Sequence, residues 1–208
     1  MKLRNLTLIA VLLPALAGCF GAVAVGAGAG ALLIADRRPS EIYLGDEGSE
    51  IRAANRIGEK FGDKVHVNVT SFNRTVMLTG EVSDAAAKAE VEKIVSGLPN
   101  IKAIVNELQV GGVSNLSARA NDSYLTSKVK ARFIDYNKFP VNLVKVVTEA
   151  GSVYLMGLVT KAEADAAVDI ASTTGGVLKV VRVFEYISAE EAKRLDSRPA
   201  DKQPAKTP

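Results

Sequence analysis

Tryptophan is absent from this chain, and cysteine and histidine occur once each, as Cys19 and His66. A lone cysteine forms no intramolecular disulfide. A lone histidine leaves any Ser-His-Asp or Cys-His arrangement resting on one residue. A zinc site drawn from Cys and His is short of ligands. His66 alternates with Val65 and Val67 and is placed off the core face of a strand, in a solvated or edge position. Glycines 21, 26, 28 and 30 follow no strand, so they match no phosphate-binding loop. Glu81 and Asp84 are the nearest approach to paired carboxylates. They flank a strand-to-helix junction, where an Asp is expected for helix stability alone. No catalytic constellation emerges. The chain is read as a non-enzyme with no cofactor, no metal and no small-molecule substrate.

Long apolar runs are also missing. Lys2 and Arg4 precede the apolar stretch Leu6–Leu13, which Pro14 breaks before Leu16-Ala17-Gly18-Cys19. Residues 1–18 have the layout of a secretory signal, with a core too short to span a bilayer. The cleavage region resembles a bacterial lipobox. That resemblance implies cleavage before Cys19, a diacylglyceryl thioether on its sulfur, and an acyl chain such as palmitate on the new amino terminus. Lipidation gives the odd cysteine a purpose, and several acyl chains anchor stably where one is marginal. Phe20 stands where an Asp suggests inner-membrane retention. Its presence favours the outer membrane, with the chain facing the periplasm. Residues 19–40 then comprise the lipidated cysteine and a Gly/Ala-rich tether, which Asp36-Arg37-Arg38-Pro39 punctuates. Once Lys2 and Arg4 are removed, 24 basic side chains face 23 acidic ones, so only a local patch can bind through charge.

An internal repeat organises the remainder. Val76, Leu78, Gly80 and Val82 recur as Val153, Leu155, Gly157 and Val159, and Ser83 recurs as Thr160. Each copy predicts an amphipathic helix, with Ile51, Ala54, Gly58 and Phe61 on one face in the first copy. An alternating strand follows, Val65-Val67-Val69 or Val144-Val146. A tight turn at 71–74 or 148–151 leads into a second strand. Ser83 or Thr160 caps a second helix, and a β-branched strand closes the copy. The order is αββαβ. It predicts an α+β fold in which a three-stranded sheet is covered by two helices. Ser188 and Glu191, at capping-box spacing, predict a short helix, and the tail to Pro208 is read as disordered.

This pattern, with Leu78-Thr79-Gly80-Glu81-Val82 and Val153-Tyr154-Leu155-Met156-Gly157-Leu158-Val159-Thr160 as its most specific parts, resembles two tandem BON domains (bacterial OsmY and nodulation). They are placed at residues 41–111 and 116–187, followed by a helix and tail at 188–208. With the lipobox and tether, the chain resembles the dual-BON outer-membrane lipoproteins of Gram-negative bacteria. The resemblance implies roles in outer-membrane integrity, cell division and envelope stress, and association with the outer-membrane protein assembly machinery. It also implies that the first helix of the second domain binds anionic phospholipid, phosphatidylglycerol in particular.

The stretch 122–139 is dense in aromatics and positive charge. Residues 41–110 carry 8 basic and 11 acidic side chains, whereas residues 115–147 carry 6 and 2. With Asp122 as N-cap and about 100° per residue, Leu125, Val129, Tyr136 and more peripherally Phe133 turn inward. Tyr124, Ser127, Lys128, Ala131 and Asp135 turn outward, with Ile134 at the border. Arg132 lies near the inward stripe, its stem packing and its head reaching out. One reading is an ordinary domain helix with a solvated face. The other is an interfacial helix in which Tyr124, Ser127, Lys128, Ala131, Arg132 and Ile134 meet an anionic phospholipid membrane. Tyr124 stands where the family carries an aromatic, which implies that role for it. Nucleic acid also suits aromatic and basic residues, but an exported lipoprotein meets little of it. The alternative function is a periplasmic protein-binding adaptor, docking through its sheet surfaces or its acidic first copy.

Overall fold

The computed structural model describes residues 36–197. The signal segment, Cys19, most of the tether and the tail beyond residue 197 lie outside the described residues. The first αββαβ unit comprises α1 (Ser40–Phe61), β1 (His66–Phe72), β2 (Thr75–Val82), α2 (Ala85–Ser96) and a last strand in two pieces, β3 (Ala103–Asn106) and β4 (Gln109–Val110). The second comprises α3 (Leu116–Tyr136), β5 (Val144–Glu149), β6 (Ser152–Val159), α4 (Lys161–Ser172) and β7 (Lys179–Tyr186). A final helix, α5, spans Ala189–Asp196, with the Ser188 hydroxyl accepting from the Glu191 amide. In each unit the middle strand pairs antiparallel with the strand before it and parallel with the strand after it.

Period-two alternation sends Val76, Leu78 and Val82 of β2 toward helices α1 and α2, where they meet Ala53, Ile57, Val91 and Val95. In the second unit Val153, Leu155 and Val159 meet Val129, Phe133, Ala167 and Ile170. The buried stripe of α1 is Asp46, Ser49, Ala53 and Ile57. The stripe expected from sequence is therefore misplaced, because Ile51 and Ala54 are exposed. The reason is a carboxylate. Asp46 Oδ1 accepts from the Arg74 amide at 2.9 Å and Oδ2 from the Asn73 amide at 2.7 Å, which turns α1 so that a polar residue faces in. Those two residues have φ of 50° and 67°, the positive values that a two-residue type I′ hairpin needs. The second unit repeats the device. Asp122 accepts from the Ala150 and Gly151 amides, each at 2.9 Å, in a turn with φ of 48° and 73°. Asp122 is thus not an N-cap. Asn115 is, accepting from the Ala118 amide at 2.9 Å, so α3 begins earlier than expected. Similarly, Asp84 rather than Ser83 caps α2, while Thr160 caps α4 in a full capping box with Glu163.

The repeated glycines have a steric cause. A Cβ on Gly80 would lie 2.1 Å from the His66 carbonyl oxygen, and one on Gly157 would lie 2.5 Å from that of Leu143. Neighbouring backbone occupies the space of a side chain at both positions.

The second faces of the two sheets pack on each other. Phe72 and Met77 of the first meet Tyr154, Met156 and Leu158 of the second, with Leu195 of α5 alongside. Hence β2 and β6 are buried on both faces along nearly their whole length. The layers run helices, sheet, sheet, helices. At the rim of this seam Lys145 reaches Glu50 at 2.7 Å, and Asn68 reaches Glu149 at 2.7 Å. Burial pushes the Tyr154 hydroxyl up to about 12, helped by Glu107 and Glu149, so it stays neutral.

Residues 36–38 are not slack tether, as the sequence reading has them. Arg37 is buried and forks onto Glu163 through two 2.8 Å bonds, onto Asp196 at 2.8 and 3.0 Å, and onto the Leu158 carbonyl at 3.0 Å. Its neighbour Arg38 pairs with Asp36 and with Asp46 at 2.8 Å, its guanidinium 4.0 Å from the Phe72 ring centroid. Adjacent arginines therefore fasten the N-terminal segment to both domains.

Replacing Asp122 by Ala strands two amides of the hairpin turn, and is expected to lower unfolding free energy by about 2–3 kcal/mol in urea. Asp122→Asn, with one acceptor oxygen, recovers part of that. A second outcome concerns acid. Burial raises the Glu163 pKa, but hydrogen bonds from Arg37 and Thr160 outweigh it, leaving a net lowering from 4.5. A lowered carboxylate stabilises the fold above its unfolded value and loses that contribution as pH falls through its folded value. Arg37→Ala is expected to cost about 3 kcal/mol at neutral pH. The gap to the parent should narrow as pH falls below the ordinary glutamate value, which thermal melts from neutral into acid would check.

Candidate functional site

Helix α3 carries most of the residues that the sequence reading singles out. Leu125, Val129 and Phe133 are buried, as the inward stripe predicts. Tyr136 is not part of that stripe: it is 50% exposed, and Phe133 at 0% takes the central place, stacked edge-on to Phe139 at 5.1 Å. Because Asp122 must point at the hairpin turn, it sets the rotation of the helix, and Leu125, Val129 and Phe133 follow it at helical spacing.

The outward face is longer than expected. Leu116 is 82% exposed, Tyr124 61% and Ile134 63%. Ala120, Ser127 and Ala131 lie between them and are exposed too. At about 100° per residue these six fall within an arc of roughly 80°. They form one ridge along the whole helix. Leu116 and Ala120 escape the sequence reading because the helix start is set at Asp122; Asn115, itself a favoured cap residue, is the missed signal. Polar groups on the ridge are muted. The Ser127 hydroxyl donates back to the Ser123 carbonyl at 3.0 Å, and Ser123 does the same to Arg119 at 3.0 Å.

The cations divide. Lys130 is exposed beside the ridge. On its other flank, Lys128 donates to the Gly175 carbonyl at 2.6 Å and sits 5.5 Å from the Tyr124 ring centroid. One of its three N–H donors is engaged there. Arg132 departs from expectation. Its head does not reach out, but donates to the Ile170 carbonyl at 2.7 Å and the buried Thr174 hydroxyl at 2.8 Å. It closes the C-terminal end of α4, where a cation complements the helix dipole. Cys19, the expected lipid attachment point, lies outside the described residues.

A second constellation was not visible in sequence. His66 lies in the seam between the sheets and is largely buried, not solvated. Its Nδ1 is 3.1 Å from Glu81 Oε2, 3.8 Å from Glu149 Oε1 and 3.4 Å from Ser114 Oγ. Glu81 turns away from Asp84, which caps α2 through the Ala87 amide at 2.7 Å. The two do not form a carboxylate pair. Burial pushes the Glu149 carboxyl up, and the charges of Glu81 and Asp122 add to this against the opposing effect of Asn68 and His66.

The BON domain family matches residues 51–112 and 121–188. The chain is 34% identical over 192 residues to the outer membrane lipoprotein DolP of Haemophilus influenzae, covering 90% of this chain and all of that protein. It is 29% identical to a 21 kDa hemolysin of Actinobacillus pleuropneumoniae, over 73% of this chain and 79% of that one. It is 31% identical to osmotically-inducible protein Y of Escherichia coli, over 55% of this chain and 58% of its relative. The solved C-terminal domain of CdsD, a structural protein of the Chlamydia trachomatis type III secretion system, aligns with 13% identity and a TM-score of 0.28, covering 66% of this chain and 97% of that one; this is too remote to argue from. Two αββαβ units, each matched by the family, and similarity along 90% of the chain to an outer membrane lipoprotein make this chain a member of the BON-domain family, with two such domains in tandem in a DolP-like protein.

Proposed function

We propose that this chain is an outer-membrane lipoprotein, anchored at Cys19 and facing the periplasm, that binds anionic phospholipid through the outward ridge of α3. Phosphatidylglycerol is the lipid in view. The role is non-enzymatic: support of outer-membrane integrity in cell division and envelope stress. The observation that carries this reading is the ridge itself. Leu116, Tyr124 and Ile134 stand exposed in line on one helix, with Lys128 and Lys130 on either flank. Core packing explains none of the three. An interfacial helix needs all of them: apolar side chains to enter the acyl boundary, an aromatic at headgroup level and cations beside lipid phosphate. No helix among the described residues is long and apolar enough to cross a membrane, so contact through this helix means lying on the surface. Of the six residues read as lipid-binding, Arg132 is better assigned to holding α3 on α4.

A second reading is an adaptor for a protein partner, the outer-membrane protein assembly machinery among them. The sheet surfaces are spent on each other, which removes one docking surface. The acidic first domain retains one: Leu44 and Ile51, seven residues apart on α1, are 68% and 61% exposed.

Co-sedimentation of residues 36–208 with vesicles tests the first reading. Binding is expected with phosphatidylglycerol vesicles and not with neutral ones, and should weaken with salt. Tyr124→Glu and Leu116→Glu are expected to abolish it with stability unchanged within about 0.5 kcal/mol. Lys130→Ala should weaken it about fivefold, one surface cation near an anionic membrane being worth about 1 kcal/mol. A folded Tyr124→Glu variant that binds like the parent would mean that α3 is not the docking helix. A stoichiometric crosslinked protein on α1 without vesicle binding would favour the adaptor.

A further inference from the structure

We propose that His66, Glu81 and Glu149 form a binding site for a divalent transition metal, with Zn²⁺ the best-matched ion, that staples the first domain to the second.

The topology supplies the donors from three strands. His66 and Glu81 are direct register partners on β1 and β2, so their side chains leave the same face side by side. Glu149 ends β5 of the other domain and meets them across the seam. One donor atom from each residue lies within 4.8 Å of the other two. Tetrahedral zinc with bonds near 2.0–2.1 Å holds its ligands roughly 3.3 Å apart. The 3.1 and 3.8 Å separations from Nδ1 to the two carboxylates already match that spacing closely. Only the carboxylate-to-carboxylate edge has to shorten, through glutamate torsions.

The surrounding groups hold donors in place, as outer-shell partners do in metal sites. Asn68 Nδ2 donates to Glu149 Oε2 at 2.7 Å, which leaves Oε1 aimed at His66. The Ser114 amide donates to Glu81 Oε2 at 3.1 Å. Charge argues the same way. Glu81, Glu149 and the nearby Asp122 crowd a poorly hydrated seam. Arg119, the cation on the adjoining helix, is bonded to Ser114 and not to these carboxylates. A dication supplies the missing counter-charge. One imidazole nitrogen and two carboxylate oxygens suit zinc or manganese better than the all-oxygen demand of calcium or magnesium, and the absence of thiolate disfavours copper(I). Three protein ligands leave a fourth position to water.

Because His66 is the only histidine, its imidazole gives the only histidine signal in a ¹⁵N-histidine-labelled spectrum. The full chain in detergent micelles, carrying a histidine-free affinity tag, is titrated with Zn²⁺ and separately with Mg²⁺ near neutral pH. Zinc is expected to bind at one equivalent, to shift the Nδ1 resonance and to raise the melting temperature by several degrees. Glu149→Gln and Glu81→Gln preserve shape and are expected to weaken zinc at least about tenfold; His66→Ala should abolish it. An unshifted imidazole at saturating zinc overturns the proposal. So does a parental zinc affinity in the two Gln variants, or an equal response to magnesium, which would mark nonspecific attraction to acidic groups.

Discussion

The constraint on which the rest of this structure depends is that neither sheet can be left half-covered. Two helices protect one face of a three-stranded sheet; the other face carries Met77 in one domain and Tyr154, Met156 and Leu158 in the other. Burying these four side chains together with Phe72 and Leu195 is worth roughly 10 kcal/mol as an upper bound. That rivals the entire stability of an ordinary domain. The domains therefore do not behave as beads on a string. Their helices are forced to the outside of the four-layer stack, which leaves the backs of α1 and α3 as the broad surfaces open to a partner. The same packing removes the sheet surfaces from any docking role.

Much of this was legible beforehand, and the misses share a cause. Strand phase was readable because Val76, Leu78 and Val82, and their counterparts, sit two residues apart. The meaning of the opposite phase was not. Met77 and Met156 lie in that opposite phase, and a near-continuous apolar run is what a strand buried on both faces shows. Helix rotation failed where a buried carboxylate decided it. Asp46 and Asp122 look like cap residues by type, and both do satisfy orphan amides, but amides of a hairpin elsewhere in the fold. No helical periodicity in a single chain reveals that. Moving the start of α3 back to Asn115 then brings Leu116 and Ala120 onto the exposed ridge with Tyr124, which the sequence reading turned outward, and Ile134, which it set at the border. His66, Glu81 and Glu149 had no local pattern at all; only the seam assembles them.

The Asp36-Arg37-Arg38 segment shows the same dependence on tertiary structure. In sequence it is a charged break after a glycine-rich run. In the fold Arg37 satisfies an acceptor in each of three places — the end of β6, the first turn of α4 and the end of α5 — while Arg38 lies over Phe72 with Asp46 beneath. Asp46 thus serves the hairpin of its own domain and the incoming chain together, so the turn, the first helix and the N-terminal segment are set by one carboxylate.

That fastening also bears on the proposed membrane contact. On the proposed anchoring at Cys19, residues 20–35 are all that separates the anchor from the point where the chain is pinned at Arg37. At about 3.5 Å each they reach at most some 55–60 Å. Within so small a volume the ridge of α3 would meet headgroups at an effective concentration that does not depend on how much protein the cell contains. On the proposed lipid contact, a ridge of three large apolar side chains and two cations that binds vesicles as a soluble fragment would hold one face of the anchored protein down whatever the protein level.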